Sequence, residues 1–159
     1  MTVIAFKDGV MAADTQLSAF NSACRAQKLV RLPDGGVAGG CGTWSHAYSA
    51  LKYLEGGGDP EDEHAAKLPI ITDAAVLIAR PDGSLWLLEE RFPAYPLLDK
   101  QMAIGCGADA ARMAMSLGLS AVEAVSKVTR QDLLCGDPVQ SMDVEVPATF
   151  SGVKTHKRK

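Results

Sequence analysis

Residues 2–14 have the sequence TVIAFKDGVMAAD, in which two apolar runs flank the pair Asp8-Gly9. Each run is long enough to form a short β-strand, over residues 2–6 and 10–13. A type I′ turn requires positive φ at both central residues, and Asp-Gly adopts these angles at little cost. We therefore predict that this stretch forms a tight antiparallel hairpin.

The same pattern occurs twice more along the chain. A second pair of apolar segments, 29–32 and 37–38, flanks the sequence PDGG, and a third pair, 75–79 and 84–88, flanks PDG. Three hairpins with Asp-Gly turns indicate antiparallel sheets. Several of the strands are apolar at successive positions, which is typical of strands that are covered on both faces.

Three helices are predicted around these hairpins. The first, 44–55, follows the N-cap residue Thr43 and ends at a run of three glycines. The second, 109–117, is rich in alanine and methionine and stops before a glycine. The third, 121–131, has Ser120 as its N-cap and a glutamate in the capping-box position. Compact apolar helices that cover antiparallel sheets predict an α+β layered sandwich.

The length and composition predict one globular domain, over residues 1–150, followed by a basic, disordered tail at 151–159. The net charge of −3 gives no electrostatic reason to expect a nucleic acid or an anionic membrane as partner. No segment is apolar over a length that crosses a bilayer, and the first residues lack the features of a signal peptide. We therefore expect a cytoplasmic protein that binds neither nucleic acid nor membrane.

The four cysteines are spaced without a CxxC pair, at positions Cys24, Cys41, Cys106 and Cys135. This spacing predicts neither a zinc site nor, in a reducing compartment, a framework of disulfides. Catalysis by Cys24 or Cys41 is also disfavoured, because the sequence shows no evident pairing of a cysteine with a histidine. The spacing thus predicts no bound metal.

Thr2 follows the initiator methionine directly. Methionine is normally removed when the second residue is this small, and its removal would give Thr2 a free α-amine. One residue would then carry both a hydroxyl nucleophile and a base, since an α-amine has an unperturbed pKa of about 8 and is partly neutral at neutral pH. Many proteins begin with Met-Thr for no catalytic reason, so the other segments decide whether this chemistry is present.

Five segments, in the same order along the chain, resemble the bacterial HslV peptidase and its relatives, the proteasome β subunits. They are residues 2–6, 10–14, 27–32, 38–43 and 103–107. A further segment, 132–137, is similar to the Asp-x-x-Ser-Gly-Asp element of proteasome subunits. The resemblance extends from Thr2 to about Gly136. It implies the N-terminal-nucleophile hydrolase fold, which is a four-layer αββα sandwich of two antiparallel sheets.

This resemblance implies catalytic roles for four residues at matched positions. Thr2 would be the nucleophile and, through its amine, the general base. Lys28 matches an invariant lysine whose cation lowers the pKa of the amine and of the hydroxyl, and Asp14 matches the acid that pairs with this lysine. Gly42 falls where the family donates a backbone N–H to the oxyanion of the tetrahedral intermediate.

Other matched residues would support this chemistry. Asp132 would accept a hydrogen bond near the terminal amine, whereas Cys106 and Cys135 replace two serines of the family. A thiol is a weaker donor than a hydroxyl, so proton transfer at the amine is expected to be less efficient. One hypothesis is that oxidation couples the two sulfurs and switches activity; the simpler interpretation is a pair of small buried apolar side chains. Gly40 would shape the floor of the specificity pocket, and Ser18 would bind the substrate backbone.

One region departs from the family pattern. HslV-like proteins have a second long helix beside the first, but here the corresponding residues, 56–73, are too few for that helix and its loops. They are also rich in glycine, proline and acidic residues. We therefore expect a shortened second helix. The region contributes to ring contacts in the family, so the ring stoichiometry and docking to an unfoldase stay open.

The leading interpretation is a threonine-type peptidase that forms an acyl-enzyme on Thr2. The resemblance implies a peptide or unfolded-protein substrate, a homo-oligomeric ring and a possible ATP-dependent unfoldase partner, and the chemistry requires no metal or organic cofactor. Two alternatives remain. The chain is an inactive assembly subunit if Met1 is retained, and it is an amidase if the same chemistry acts on a small-molecule amide.

Overall fold

The computed structural model describes residues 2–19, 21–64 and 67–146, and within these ranges it has ten strands and three helices. The strands are β1 Val3–Lys7, β2 Val10–Ala13, β3 Gln16–Ala19, β4 Ser22–Arg25, β5 Leu29–Arg31, β6 Val37–Gly42, β7 Ile71–Ala79, β8 Leu85–Leu97, β9 Met102–Gly105 and β10 Gln140–Asp143. The helices are α1 Trp44–Glu55, α2 Ala108–Ser116 and α3 Ala121–Gln131. Met1 and the predicted tail at 151–159 lie outside the described residues, so the domain limits stay a prediction.

Two four-stranded sheets form the centre of the fold. The first has the strand order β10-β2-β1-β9 and the second has the order β5-β6-β7-β8, and their described pairs are antiparallel. The facing sides of the sheets bury a common core that includes Ile4, Met11, Leu29 and Leu77. The hairpin of β3 and β4 forms a separate two-stranded sheet.

The helices cover the outer faces of the two sheets. Helices α2 and α3 pack on the first sheet, where Val125 and Val128 join Val3 in a buried cluster. Helix α1 packs on the second sheet, where Leu51 joins Ile78. The resulting order of helix, sheet, sheet and helix confirms the predicted αββα sandwich. Within the described ranges, no helix has the length and apolar character needed to cross a bilayer.

The Asp-Gly hairpins form where the sequence predicted them. Strands β1 and β2 pair across Asp8-Gly9, whose φ angles of 50° and 79° are the positive pair that a type I′ turn requires. The register places Ile4 opposite Ala13, so the residues before β1 lie beside the residues after β2. Two hydrogen bonds continue this pairing, from the Val3 amide to Asp14 Oδ1 and from the Asp14 amide to the Val3 carbonyl oxygen.

The chain after α1 differs from the expected shortened second helix. Among the described residues between Gly56 and Ile70, the chain forms turns and no α-helix. The local sequence explains this, because the glycines at 56–58 and Pro60 have the lowest helix propensities. Among the residues that the structure describes, α1 is thus the helix that covers the second sheet, without a second helix beside it.

Replacing Ser120 with alanine is expected to lower the free energy of unfolding by about 1 kcal/mol. The Ser120 hydroxyl accepts a hydrogen bond from the Glu123 amide at 3.1 Å, as the capping box predicted, and thereby pairs one of the open donors at the start of α3. Urea unfolding monitored by circular dichroism measures the change.

Ser49→Ala is the matched control for this substitution. Ser49 lies on the exposed side of α1 and its hydroxyl bonds the Ser45 carbonyl within the helix, so alanine there should leave stability unchanged or slightly raised. Equal effects of the two substitutions would mean that the Ser120 cap does not stabilise α3.

Candidate active site

Three buried polar side chains meet at the open end of the β1-β2 hairpin. The Lys28 ammonium donates to Thr2 Oγ1 at 2.7 Å and to Asp14 Oδ1 at 2.9 Å. Thr2 is 5% exposed, and Asp14 and Lys28 are 0% exposed. The structure thus brings together the three residues that the resemblance assigned to nucleophile, acid and lysine.

The backbone around Asp14 orients its carboxylate. Oδ1 accepts the Val3 amide at 3.1 Å in addition to Lys28, and Oδ2 accepts the amides of Gln16 and Gly136 at 3.2 Å each. These four donors satisfy both oxygens of a carboxylate that is completely buried. The turn around Gly136 therefore helps to hold the site, although it is more than a hundred residues away in sequence.

Hydrogen bonds of both its side chain and its backbone position Lys28. Its ammonium also donates to the Gln16 carbonyl oxygen at 2.6 Å, and a lysine ammonium has three N–H donors with which to serve these acceptors. Its amide donates to Gln140 Oε1 at 3.0 Å, and its carbonyl accepts the Gly40 amide at 3.2 Å. These contacts hold the ammonium against the hydroxyl of Thr2.

Gln140 is a supporting residue that the sequence analysis missed. Its side-chain amide donates to the Asp14 carbonyl at 3.0 Å and to the Ala26 carbonyl at 3.2 Å, while its oxygen accepts the Lys28 amide. One side chain from β10 therefore links the segments that carry the acid and the lysine. The local sequence QSMD gives no signal for this role, because the strand is short, polar and half exposed.

A second group of polar side chains lies on the other side of Thr2. Cys106 Sγ is 3.4 Å from the Thr2 carbonyl oxygen and 3.6 Å from Cys135 Sγ, which in turn is 4.0 Å from Asp132 Oδ2. Cys106 is exposed and Cys135 is buried, and both are free thiols. The two cysteines and the acid assigned to support the terminal amine therefore form one cluster beside Thr2.

Burial strongly raises the pKa of the Cys135 thiol above its usual range, and the nearby Asp14 carboxylate raises it further. Cys135 is therefore a neutral thiol at neutral pH. Burial also raises the pKa of the Cys41 thiol to about 11. Since the thiolate is the reactive form of cysteine, neither residue is poised to act as a nucleophile.

Gly42 occupies a position that only glycine fits. It ends β6 with a φ of +92°, and a Cβ atom there would overlap the carbonyl oxygen of Asp73. The next residue, Thr43, donates its amide to the same Asp73 oxygen at 2.8 Å. The Asp73 carbonyl therefore lies directly against the backbone between β6 and α1. Gly42 lines an open cavity together with Cys41 and Glu89.

The two residues expected to bind substrate lie in different surroundings. Ser18 is exposed on β3, where its side chain is accessible to a ligand. Gly40 is buried in β6, and a Cβ atom there would lie 3.2 Å from both Ala47 and Leu51 of α1. The lack of a side chain at Gly40 thus permits close packing of α1 on the sheet, and its amide supports Lys28.

No protein-family model and no curated protein sequence matches the chain. Two solved structures of BPH from Thiobacillus denitrificans, one of them in complex with epoxomicin, superpose with a TM-score of 0.64 and 20% identity, over 91% of this chain and 98% of that chain. Eukaryotic HslV from Trypanosoma brucei superposes with a TM-score of 0.62 and 17% identity, over 90% of this chain and 99% of that chain. The chain therefore has the fold of the HslV and proteasome β-subunit-like family.

Proposed function

We propose that this protein is a threonine-type peptidase in which Thr2, after removal of Met1, is the N-terminal nucleophile. The observation that carries the proposal is the buried contact of 2.7 Å between the Thr2 hydroxyl and the Lys28 ammonium, which is itself paired with Asp14. A hydroxyl and two opposite charges are costly to bury, so a site that buries all three is an expected place for chemistry.

The proposed reaction has two stages. First, the α-amine of Thr2 takes the hydroxyl proton, and Oγ1 attacks the carbonyl carbon of the substrate amide. The C–N bond then breaks, the resulting ammonium returns a proton to the leaving amine, and an acyl ester remains on Thr2. Second, water attacks the carbonyl carbon of this ester while the amine accepts a proton from the water. The bond between this carbon and Oγ1 then breaks, and the ammonium returns the proton to Oγ1, which releases the acid product and restores Thr2.

The charged pair stabilises the oxygen that attacks. Oγ1 gains negative character as its proton leaves, and the Lys28 ammonium already points at it from 2.7 Å. Asp14 holds this ammonium in place through its own contact of 2.9 Å. A donor that is fixed before the reaction needs no reorganisation when charge develops, which is the main source of electrostatic catalysis.

The remaining site residues take supporting roles in the proposal. The Gly42 amide would bind the oxyanion, and Ser18 would bind the substrate backbone. Asp132 and Cys135 would orient the terminal amine, while Cys106 would hold the Thr2 carbonyl, from which its sulfur lies 3.4 Å away. These thiols replace hydroxyls, so we expect weaker support of the amine than serine would give.

The fold also supports a proposal about assembly. We infer a homo-oligomeric ring that encloses the sites and admits a peptide or an unfolded protein, with an ATP-dependent unfoldase as a possible partner. Exposed apolar side chains on and near α2 and α3 are consistent with a subunit contact, among them Met113, Leu117 and Leu133. Native mass spectrometry of the purified chain measures the number of subunits.

The proposed function is tested by the intact mass of the protein before and after exposure to a peptide epoxyketone such as epoxomicin. Formation of the stable ring adduct needs both the threonine hydroxyl and its free amine. The expected result is loss of Met1 and one covalent adduct per chain, with no adduct on Thr2→Ala. Epoxomicin is bound in one of the structures that share this fold.

Other outcomes of this experiment point elsewhere. Retention of Met1 on every chain would overturn the proposal and favour an inactive assembly subunit, because a blocked Thr2 has no free amine. An adduct without cleavage of any peptide in a diverse library would favour an amidase that acts on small-molecule amides.

Gly42→Ala is expected to impair both stability and hydrolysis. Alanine at a φ of +92° is strained by about 1–2 kcal/mol, and the overlap with the Asp73 carbonyl adds to this cost. The displaced backbone would no longer present its amide to the oxyanion, and losing one such donor reduces kcat by about 10²–10³-fold. Urea unfolding and the rate of peptide cleavage measure the two effects.

Gly83→Ala is the matched control for Gly42→Ala. Gly83 has a similar φ of +85°, but no atom lies within 4 Å of the added Cβ position. The control carries the conformational strain without the overlap, and it lies in the turn between β7 and β8. Equal losses of hydrolysis in the two variants would exclude a specific role for the Gly42 amide.

A further inference from the structure

The cluster beside Thr2 contains three side chains of the kinds that bind zinc. Cys106 follows β9, whereas Asp132 and Cys135 follow α3, so the fold joins ligands from two distant segments. One ligand atom from each of the three lies within 4.8 Å of the others. Linear spacing could not reveal this group, because the sequence has no CxxC pair.

The distance between the two sulfurs is close to the distance in tetrahedral zinc sites, and the carboxylate oxygen lies somewhat farther away than a bound ligand would. Zn–S bonds of about 2.3 Å and Zn–O bonds of about 2.0 Å place two sulfurs about 3.8 Å apart and a sulfur and an oxygen about 3.5 Å apart. The structure has 3.6 Å between the sulfurs of Cys106 and Cys135, and 4.0 Å between Cys135 Sγ and Asp132 Oδ2. We propose that Cys106, Cys135 and Asp132 bind a Zn²⁺ ion, with water in the fourth position.

The surroundings also favour this site. Asp132 Oδ1 accepts the Leu134 amide at 2.8 Å, which fixes the carboxylate and directs Oδ2 towards the sulfurs. An open cleft lined by Cys106, Gln131 and Asp132 gives the ion a path from solvent. Cys135, which is buried, forms the closed side of the site.

We expect zinc at this site to inhibit hydrolysis, and this expectation rests on the proposed function. The free Cys106 thiol can donate to the Thr2 carbonyl from 3.4 Å, but a zinc-bound thiolate has no proton to donate. Asp132 and Cys135 would likewise become ligands and no longer support the terminal amine. The same three groups cannot serve both purposes, so the zinc-bound form is the inactive form.

Competition with a chromophoric zinc chelator tests the site directly. The chain is used without a histidine tag, and its thiols are reduced and kept anaerobic, because a disulfide would remove two ligands. We expect one tightly held Zn²⁺ per chain. Cys106→Ser, Cys135→Ser and Asp132→Asn should each weaken binding at least about tenfold.

Cys24→Ser is the matched control, because Cys24 is an exposed thiol on β4 outside the cluster, and this variant should bind zinc as the parent does. Serine is the residue of the resembling family at positions 106 and 135, so these variants are expected to fold. Equal zinc affinity of the parent and the Cys106→Ser/Cys135→Ser double variant would show that these cysteines do not bind the ion and would overturn the proposal.

Peptide cleavage with and without zinc tests the inhibition separately. We expect Zn²⁺ to slow peptide cleavage by the parent at least tenfold and EDTA to restore the rate. Addition of Zn²⁺ should change the cleavage rate of the double variant less than twofold. Zinc that binds the cysteines without slowing cleavage would refute the inhibitory role. If no chain cleaves any peptide, the proposed function fails, whereas the binding measurement still decides the zinc site.

Discussion

Replacing Thr2 with alanine is expected to reduce peptide hydrolysis by roughly 10⁴-fold or more. Alanine has no oxygen with which to form the acyl ester, although the α-amine and the Lys28–Asp14 pair would remain. The fold should survive, because the ammonium keeps its contacts with Asp14 and the Gln16 carbonyl after it loses Thr2 Oγ1. We expect a loss of about 1–2 kcal/mol in the free energy of unfolding.

Single-turnover and steady-state cleavage of a fluorogenic peptide measure this effect. Thr2→Ser is the control, because serine keeps both the hydroxyl and the amine, and we expect it to stay within about tenfold of the parent rate. The mass of each variant must show that Met1 is removed, since a blocked amine would mimic the loss of the nucleophile. Cleavage by Thr2→Ala at the parent rate would show that another group is the nucleophile.

Local sequence signals were sufficient to predict the hairpin turn at Asp8-Gly9 and the bounds of helix α1. The turn at Asp8-Gly9 has the positive φ angles that its residue types favour, and Ser120 caps α3 as the capping box indicated. Helix α1 has the predicted bounds, although the Thr43 side chain makes no capping hydrogen bond. The glycine run after the helix was therefore a better signal for its end than Thr43 was for its start. Such signals act within a few residues, which is why they can be recognised without a structure.

The supporting contacts of the site depend on tertiary structure and had no comparable signal. Gln140 contacts the segments of Asp14 and Lys28 from a strand that no periodicity marks, and the Gly136 amide reaches the same carboxylate from a distant turn. The resemblance allowed the hypothesis that the sulfurs of Cys106 and Cys135 are close enough to couple, and packing of α2 and α3 on the first sheet places them 3.6 Å apart. Resemblance located the residues, but their mutual distances came only from the fold.

Lys28→Met is expected to cause the second large effect, with a loss of about 3–5 kcal/mol in the free energy of unfolding. Methionine preserves much of the volume of lysine but removes the cation that pairs with Asp14, and both positions are 0% exposed. The carboxylate would keep backbone amide donors without a counter-charge. Hydrolysis should fall at least about 10³-fold, because Oγ1 loses the donor that stabilises its developing charge. Denaturant unfolding and peptide cleavage measure the two losses.

A double-mutant cycle separates the ion pair from the packing of its members. Asp14→Asn leaves the buried ammonium without its carboxylate, so this variant should also be strongly destabilised. The Lys28→Met/Asp14→Asn double variant buries neither charge, and we expect it to be less destabilised than the sum of the two single changes by about 1–3 kcal/mol. Hydrolysis should not recover in the double variant, because the donor to Thr2 is still missing. Additive losses of stability would show that the pair is not coupled, and recovery of hydrolysis would show that Thr2 acts without Lys28.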